Sequence, residues 1–76
     1  MNQRVENYQY EVLDLDGWKV GVTSYRLGDE YVCVIDNVDP GARLTRRVGA
    51  TREAAVSEAL VRAREMLSRT RTFSVG

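Results

Sequence analysis

Apolar and polar side chains alternate along the first part of the chain, in short runs that end at turn residues. The run from Tyr8 to Leu15 begins in strict alternation and changes phase at Leu13. Such a change predicts a strand that contains a bulge or is contacted on both faces. Asp16-Gly17 follows at once, and Asp-Gly between β-prone runs predicts a two-residue hairpin turn because glycine tolerates positive φ.

The return strand is predicted from residue 18 to residue 25 or 26, with one buried and one open face. One face carries Trp18, Val20 and Val22. The other carries Lys19, Gly21, Thr23 and Tyr25, because successive side chains of a strand point to opposite sides.

Two further strands are expected before residue 50. Residues 31–36 are apolar at nearly every position, which is typical of a central strand covered on both faces. Residues 39–41, Asp-Pro-Gly, predict a reverse turn. Residues 43–48 predict an edge strand, whose arginines discourage pairing with other chains.

The clearest pattern is a helix from about residue 52 to residue 69. Thr51 is suited to be its N-cap, and Glu53 lies in the first turn, near the positive end of the helix dipole. One arc of about 140° contains the apolar positions Ala55, Val56, Ala59, Leu60, Ala63, Met66 and Leu67. We expect this arc to pack on the sheet, with Trp18 filling space at one end.

These elements predict an α+β fold of order β-β-β-β-α, in which an antiparallel sheet of three to four strands packs on one C-terminal helix. Residues 1–76 would form a single small domain with flexible ends at 1–7 and 70–76. A short added strand is the alternative for 70–76. Four strands are about 19 Å wide, whereas a helix is about 10 Å wide. One helix therefore cannot bury both faces of the sheet, and the face away from it stays uncovered. Lys19, Thr23 and Tyr25 on that face are the candidate interface, and Tyr8 and Tyr10 are further candidates for the same face.

Composition and charge narrow the function. Hydrophobic residues at 43% and charged residues at 29% are typical of a globular domain. Zero net charge removes the long-range attraction of a basic domain for nucleic acid or anionic membranes. Residues 1–41 carry three basic and eight acidic side chains, whereas residues 42–76 carry eight and three. We expect these halves to attract each other within one fold or across a dimer.

Few residues are suited to catalysis. The chain has no histidine and one cysteine, which excludes a Ser/His/Asp triad, a Cys/His pair and the commonest metal sites within one chain. Cys33 lies in an apolar strand and is expected to be a buried, inert thiol. No paired acid and base and no glycine-rich phosphate loop is visible. We therefore expect no enzyme activity, cofactor or metal. The polar N-terminus and the absence of long apolar runs predict a cytoplasmic protein without membrane association.

Arginines are the remaining candidates. Arg62 and Arg69 have acidic partners at helical spacing in Glu58 and Glu65, so they are expected to stabilise the helix. The basic residues with least local explanation, and hence the candidate nucleic-acid contacts, are Arg43, Arg46, Arg47, Arg52, Arg64 and Arg71. A solvated face is the alternative interpretation.

The segment Arg46-Arg47-Val48-Gly49-Ala50-Thr51-Arg52-Glu53-Ala54-Ala55, which follows three strands, resembles the C-terminal half of double-stranded-RNA-binding domains. In that family a basic pair at the start of the last helix contacts phosphates, which implies such a role for Arg52. The chain differs in having Glu53 at the adjacent position and in lacking that family's first helix. The same order of elements is equally similar to the small HicB-type antitoxin domain.

Two functional hypotheses follow. The first is a non-enzymatic interaction or accessory module that forms a homodimer or binds a protein partner through its open sheet face. A monomer with a hydrated tyrosine face is the competing interpretation. The second hypothesis is a weak nucleic-acid-binding domain that uses the arginine cluster.

Overall fold

The computed structural model describes the backbone of residues 4–38 and 41–73 and the side chains of residues 4–38 and 41–69. The elements are β1 (Val5–Leu15), β2 (Trp18–Leu27), β3 (Glu30–Asn37), β4 (Arg43–Gly49) and α1 (Arg52–Phe73). The strands form one sheet in the order β1-β2-β3-β4, and each neighbouring pair is antiparallel. The predicted α+β fold of order β-β-β-β-α is confirmed.

The β1-β2 hairpin closes through the predicted Asp-Gly turn. Asp16 has φ 55° and Gly17 has φ 91°, and positive φ at both central residues is the mark of a type I′ turn. The Gly17 amide donates to the Asp14 carboxylate at 2.9 Å. At the β3-β4 connection Gly41 has φ 97°, while the other two residues of the predicted turn, Asp39 and Pro40, lie outside the described residues.

Strand β1 is longer than the sequence pattern indicates. It begins at Val5, inside the segment 1–7 that was expected to be a flexible end. A bulge lies between Glu6 and Gln9, where Asn7 has φ 55°. Asparagine is among the residues that adopt this left-handed conformation most readily. The bulge therefore lies at the start of the run, well before the phase change at Leu13.

The phase change itself arises from contacts on both faces of β1. From Gln9 onward the pairing of β1 with β2 is regular, so no bulge explains the change. Leu15 is buried in the core and Leu13 packs against it. Tyr10 and Val12 alternate with these residues and lie on the opposite face of the sheet.

The core lies between the sheet and α1. Its buried apolar residues are Leu15, Val20, Val22, Cys33, Ile35, Ala55, Ala59, Ala63 and Leu67. Every position of the predicted helical arc is buried or half-buried, which confirms that arc. Trp18 packs against one end of the core, as expected.

The start of α1 lies against the end of β4. The Ala54 amide donates to the Thr51 hydroxyl at 3.1 Å, which confirms Thr51 as the N-cap. A Cβ atom added to Gly49 would lie 2.9 Å from the Ala55 backbone nitrogen. Glycine therefore permits the close approach of strand and helix.

The helix continues beyond its predicted end. It includes residues 70–73, so the alternative of an added strand is wrong for that stretch, and residues 74–76 lie outside the described part. α1 packs mainly over β4 and β3 and less over β2. The helix-side face of β1 is left largely uncovered. In the part of the chain that the structure describes, no helix has the length and apolar character needed to cross a membrane.

Candidate interaction surfaces

The sheet face opposite α1, here called the open face, is mainly apolar at its centre. Cross-strand pairing assigns its residues, since paired residues point to the same side of a sheet. Its apolar and aromatic members are Val5, Tyr8, Tyr10, Val12, Tyr25, Leu27, Val32, Val34 and Val48. The uncovered face predicted from the width of the sheet therefore exists.

Tyrosine side chains make two contacts at the β1 side of the open face. The rings of Tyr8 and Tyr25 stack, with centroids 6.5 Å apart and planes 11° from parallel. Tyr10 lies close over Gly21: a Cβ atom added to that glycine would be 2.7 Å from the tyrosine hydroxyl. Tyr8 nevertheless remains 62% exposed and Val12 50% exposed. These side chains present a large apolar area to solvent.

Strand β3 is covered on the open face without a second layer. Val32 is only 2% exposed although it points away from α1. Tyr25 of β2 and Val48 of β4 flank it in register. Neighbouring side chains of the open face thus bury Val32. This confirms, at this position, the prediction of a central strand covered on both faces.

Charged side chains surround the apolar centre of the open face. Asp14 is paired in register with Lys19, and Asp36 with Arg43. The strand residues with charge on this face are the acids Asp14, Glu30 and Asp36 and the bases Lys19, Arg43 and Arg46. Their charges sum to zero.

The predicted interface residues Lys19, Thr23 and Tyr25 all lie on the open face. Thr23 is paired with Tyr10 on one side and with Val34 on the other, at the centre of the face. The structure therefore brings this predicted set together. Its participation in an interface stays a prediction.

Arg52, expected from the resemblance to contact phosphate, makes three contacts within the chain. Its guanidinium donates to the Ser24 hydroxyl at 2.5 Å and to the Asn7 carbonyl oxygen at 2.6 Å. It also lies over the Tyr31 ring, 5.3 Å from the centroid. The side chain thus joins the start of α1 to three strands of the sheet.

Arg64, which has no acidic neighbour on the helix, contacts the distant β1-β2 turn. Its Nε donates to the Asp16 carboxylate at 3.0 Å. Arg62 pairs with Glu65 at 3.3 Å, so the expected partner Glu58 is wrong for it. Residues three apart are neighbours on a helix surface, as residues four apart are, so this ion pair also stabilises the helix.

The other predicted nucleic-acid contacts do not share one surface. Arg43 and Arg46 belong to the open face, whereas Arg47 is paired with Cys33 and points to the helix side. The Arg71 side chain lies outside the described residues. Nucleic-acid binding stays a hypothesis without a common patch among the described arginines.

A groove between β1 and α1, missed by sequence reasoning, is the second candidate surface. It has a volume of about 630 Å³ and an apolar floor formed by Val22, Val56 and Leu60. The rest of its lining is Gln9, Tyr10, Glu11, Ser24, Arg52, Glu53 and Ser57, so the edge strand residue Tyr10 borders both the groove and the open face. One sequence feature could have indicated this groove: a single helix is only about half as wide as a sheet of four strands, so part of the helix-side face must stay uncovered.

Two arginine contacts cross between α1 and the ends of β1. Arg52 reaches Asn7 near the start of the strand, and Arg64 reaches Asp16 just after its end. The β1-α1 groove lies between these two connections.

Chemistry on the described residues is limited. Cys33 is fully buried, and burial raises the pKa of its thiol from the ordinary 9.0 to about 11. Such a thiol is protonated at neutral pH and is a poor nucleophile. No group of three or more Cys, Asp or Glu side chains suited to a metal ion occurs in the described ranges.

Comparison with known proteins gives a uniform result. No family model matches the chain, and no curated protein and no solved structure is significantly similar to it.

Proposed function

We propose that this chain is a non-enzymatic interaction module that self-associates by packing the open faces of two copies against each other. The observation that carries the proposal is the exposed apolar strip of β1. Tyr8, Tyr10 and Val12 are each at least half exposed and lie side by side on one face. Contiguous apolar patches of this kind mark interaction sites in soluble proteins.

The charges of the open face favour a second copy as the occupant. Three acidic and three basic side chains border the apolar centre, so two identical faces do not repel each other. The whole chain is also neutral. In a two-fold pairing the same patch serves both partners, and each acid can approach a base of the other copy.

The size of the open face is adequate for a dimer. Ten residues of β2 are about 33 Å long and four strands about 19 Å wide, which gives roughly 600 Å² of flat area. Side-chain relief increases the accessible area beyond that value. A standard interface buries about 800 Å² per partner.

The tyrosines are already ordered for binding. Tyr8 and Tyr25 restrict each other by stacking, and Tyr10 rests on the backbone at Gly21. Ordered aromatic side chains lose little conformational entropy when an interface forms, at a cost otherwise of about 0.5–1.5 kcal/mol each. Tyrosine is also enriched in protein interfaces.

A matched pair of valine variants tests the proposal. Val12 is 50% exposed on the open face, and Val61 is 55% exposed on α1. We expect Val12→Lys to weaken self-association, because a charge would be buried in the interface, and Val61→Lys to leave it unchanged. Sedimentation equilibrium over a concentration series measures both, with circular dichroism to verify folding. A wild-type mass that stays at 8.6 kDa, or equal effects of the two variants, contradicts self-association through this face.

A further inference from the structure

The β1-α1 groove lies on the opposite side of the sheet from the open face and offers a separate binding surface. We propose that it binds a short amphipathic helix with basic flanks, supplied by a partner protein. This inference does not depend on self-association through the open face.

The groove leaves room for one helix beside α1. α1 lies mainly over β3 and β4 and less over β2, whose Val20 and Val22 are buried, so the uncovered part of this face is over β1. Two packed helices lie about 8–10 Å apart, which is about two strand spacings, so a second helix beside α1 would lie over β1. A layer of helices packed side by side on one sheet face is an ordinary way to complete such a domain.

The floor of the groove is suited to a helix. Val56 and Leu60 are one turn apart on α1 and form a ridge along the groove, and Val22 forms the base on the sheet. Both helix side chains are half-buried, so apolar area remains for an occupant. Ridges of this i,i+4 type pack into the grooves of a neighbouring helix.

The two arginine contacts limit the length of the occupant. Arg52 and Arg64 join α1 to the two ends of β1. They are twelve residues apart on the helix, which corresponds to about 18 Å or roughly three turns. An occupant aligned with α1 between these contacts is therefore a helix of about three turns.

The described lining of the groove has more acidic than basic side chains. Glu11 and Glu53 line it, and neither forms an ion pair with another described residue. Arg52 is the one arginine among the described lining residues, and it keeps its positive charge because its acceptors, the Ser24 hydroxyl and the Asn7 carbonyl, are neutral. Two carboxylates and one guanidinium leave the lining with one net negative charge. Lysine or arginine side chains on the flanks of the bound helix would complement the two carboxylates.

A designed peptide is the direct probe. It has about 12 residues, three turns of helix, with leucines at helical spacing and lysines elsewhere, and carries a fluorescent label for anisotropy. A second peptide replaces every lysine with glutamate. We expect saturable binding of the lysine peptide and at least tenfold weaker binding of the glutamate peptide.

Charge-matched double variants locate the binding. Glu11→Gln with Glu53→Gln removes the two groove carboxylates, and Asp29→Asn with Glu58→Gln removes the same charge elsewhere on the surface. We expect the groove pair to weaken binding about three- to tenfold and the control pair to leave it unchanged. Amide chemical-shift changes in the wild type should centre on the groove at Gln9 and Ser57.

Several results would overturn the groove proposal. They are absence of saturable binding, equal binding of the two peptides, equal effects of the two double variants, and shift changes centred on the open face around Thr23. The last result leaves the open face as the binding surface, so failure of the groove is distinguishable from failure of self-association. The Val12→Lys variant separates them further, because it should retain the peptide affinity of the wild type.

Discussion

The Arg52 guanidinium donates to the carbonyl oxygen of Asn7, 45 residues earlier in the sequence, at 2.6 Å. Asn7 occupies the left-handed position of the β1 bulge, which directs this carbonyl toward the start of α1. The bulge and the arginine thus form one structural unit. A cation at a helix N-terminus opposes the helix dipole, and these contacts offset that unfavourable placement.

Replacement of Arg52 should destabilise the fold. Arg52→Ala loses charge-assisted hydrogen bonds to Ser24 and Asn7 and the contact with Tyr31, and we expect a loss of about 2 kcal/mol in the free energy of unfolding. Arg52→Lys retains the charge without the planar fork and should lie between wild type and alanine. Urea denaturation measures all three. Arg47→Ala, at an exposed position outside the open face, is the control and should change stability by less than about 0.5 kcal/mol. Equal values for Arg52→Ala and Arg47→Ala would mean that the three contacts contribute nothing.

Two strand glycines should respond differently to alanine. In Gly49→Ala the new methyl group meets the backbone of α1 at 2.9 Å, so strand and helix must separate, at a cost of about 1–3 kcal/mol. In Gly21→Ala it meets only the end of the Tyr10 side chain, which can shift slightly without separating two elements, and we expect a change below about 0.5 kcal/mol. Thermal and urea denaturation compare the pair. Similar losses for both variants would contradict the tight packing of β4 on α1.

These cases show which parts of the structure the sequence pattern specifies. The helical arc is predictable because Ala55, Ala59 and Ala63 recur at the period of a helix, and the Asp16-Gly17 turn because few residues accept positive φ. Both are local signals. The contact between Arg52 and Asn7 depends on a bulge that no local pattern displays, and it joins residues far apart in the chain.

The second arginine contact was unpredictable for the same reason. Arg64 has no acidic residue at helical spacing, and its partner Asp16 lies 48 residues away in a turn. The β1-α1 groove likewise depends on which strands α1 covers, and the apolar arc of a helix does not specify its position across the sheet. The side of the sheet to which each residue of β2 points was predictable, because alternation alone determines it.

The stability of the fold should depend on the protonation of Cys33 in alkaline solution. Burial raises the pKa of the thiol from 9.0 to about 11, so between these values the folded chain retains a proton that the unfolded chain releases. This contribution to stability is complete below pH 9 and is lost as the pH rises toward 11. Urea denaturation across that range should show a steeper decline for the wild type than for Cys33→Ala. Parallel curves for the two proteins would contradict burial of the thiol.

Contacts between two copies are the most direct evidence on self-association through the open face. Isotope-labelled and unlabelled chains are mixed, and filtered nuclear Overhauser spectra then report only contacts between copies. We predict intermolecular contacts among Tyr8, Tyr10, Val12 and Tyr25. Two results would contradict self-association through the open face. One is the absence of such contacts together with the linewidths of an 8.6 kDa monomer, and the other is contacts confined to the outer surface of α1 around Val61.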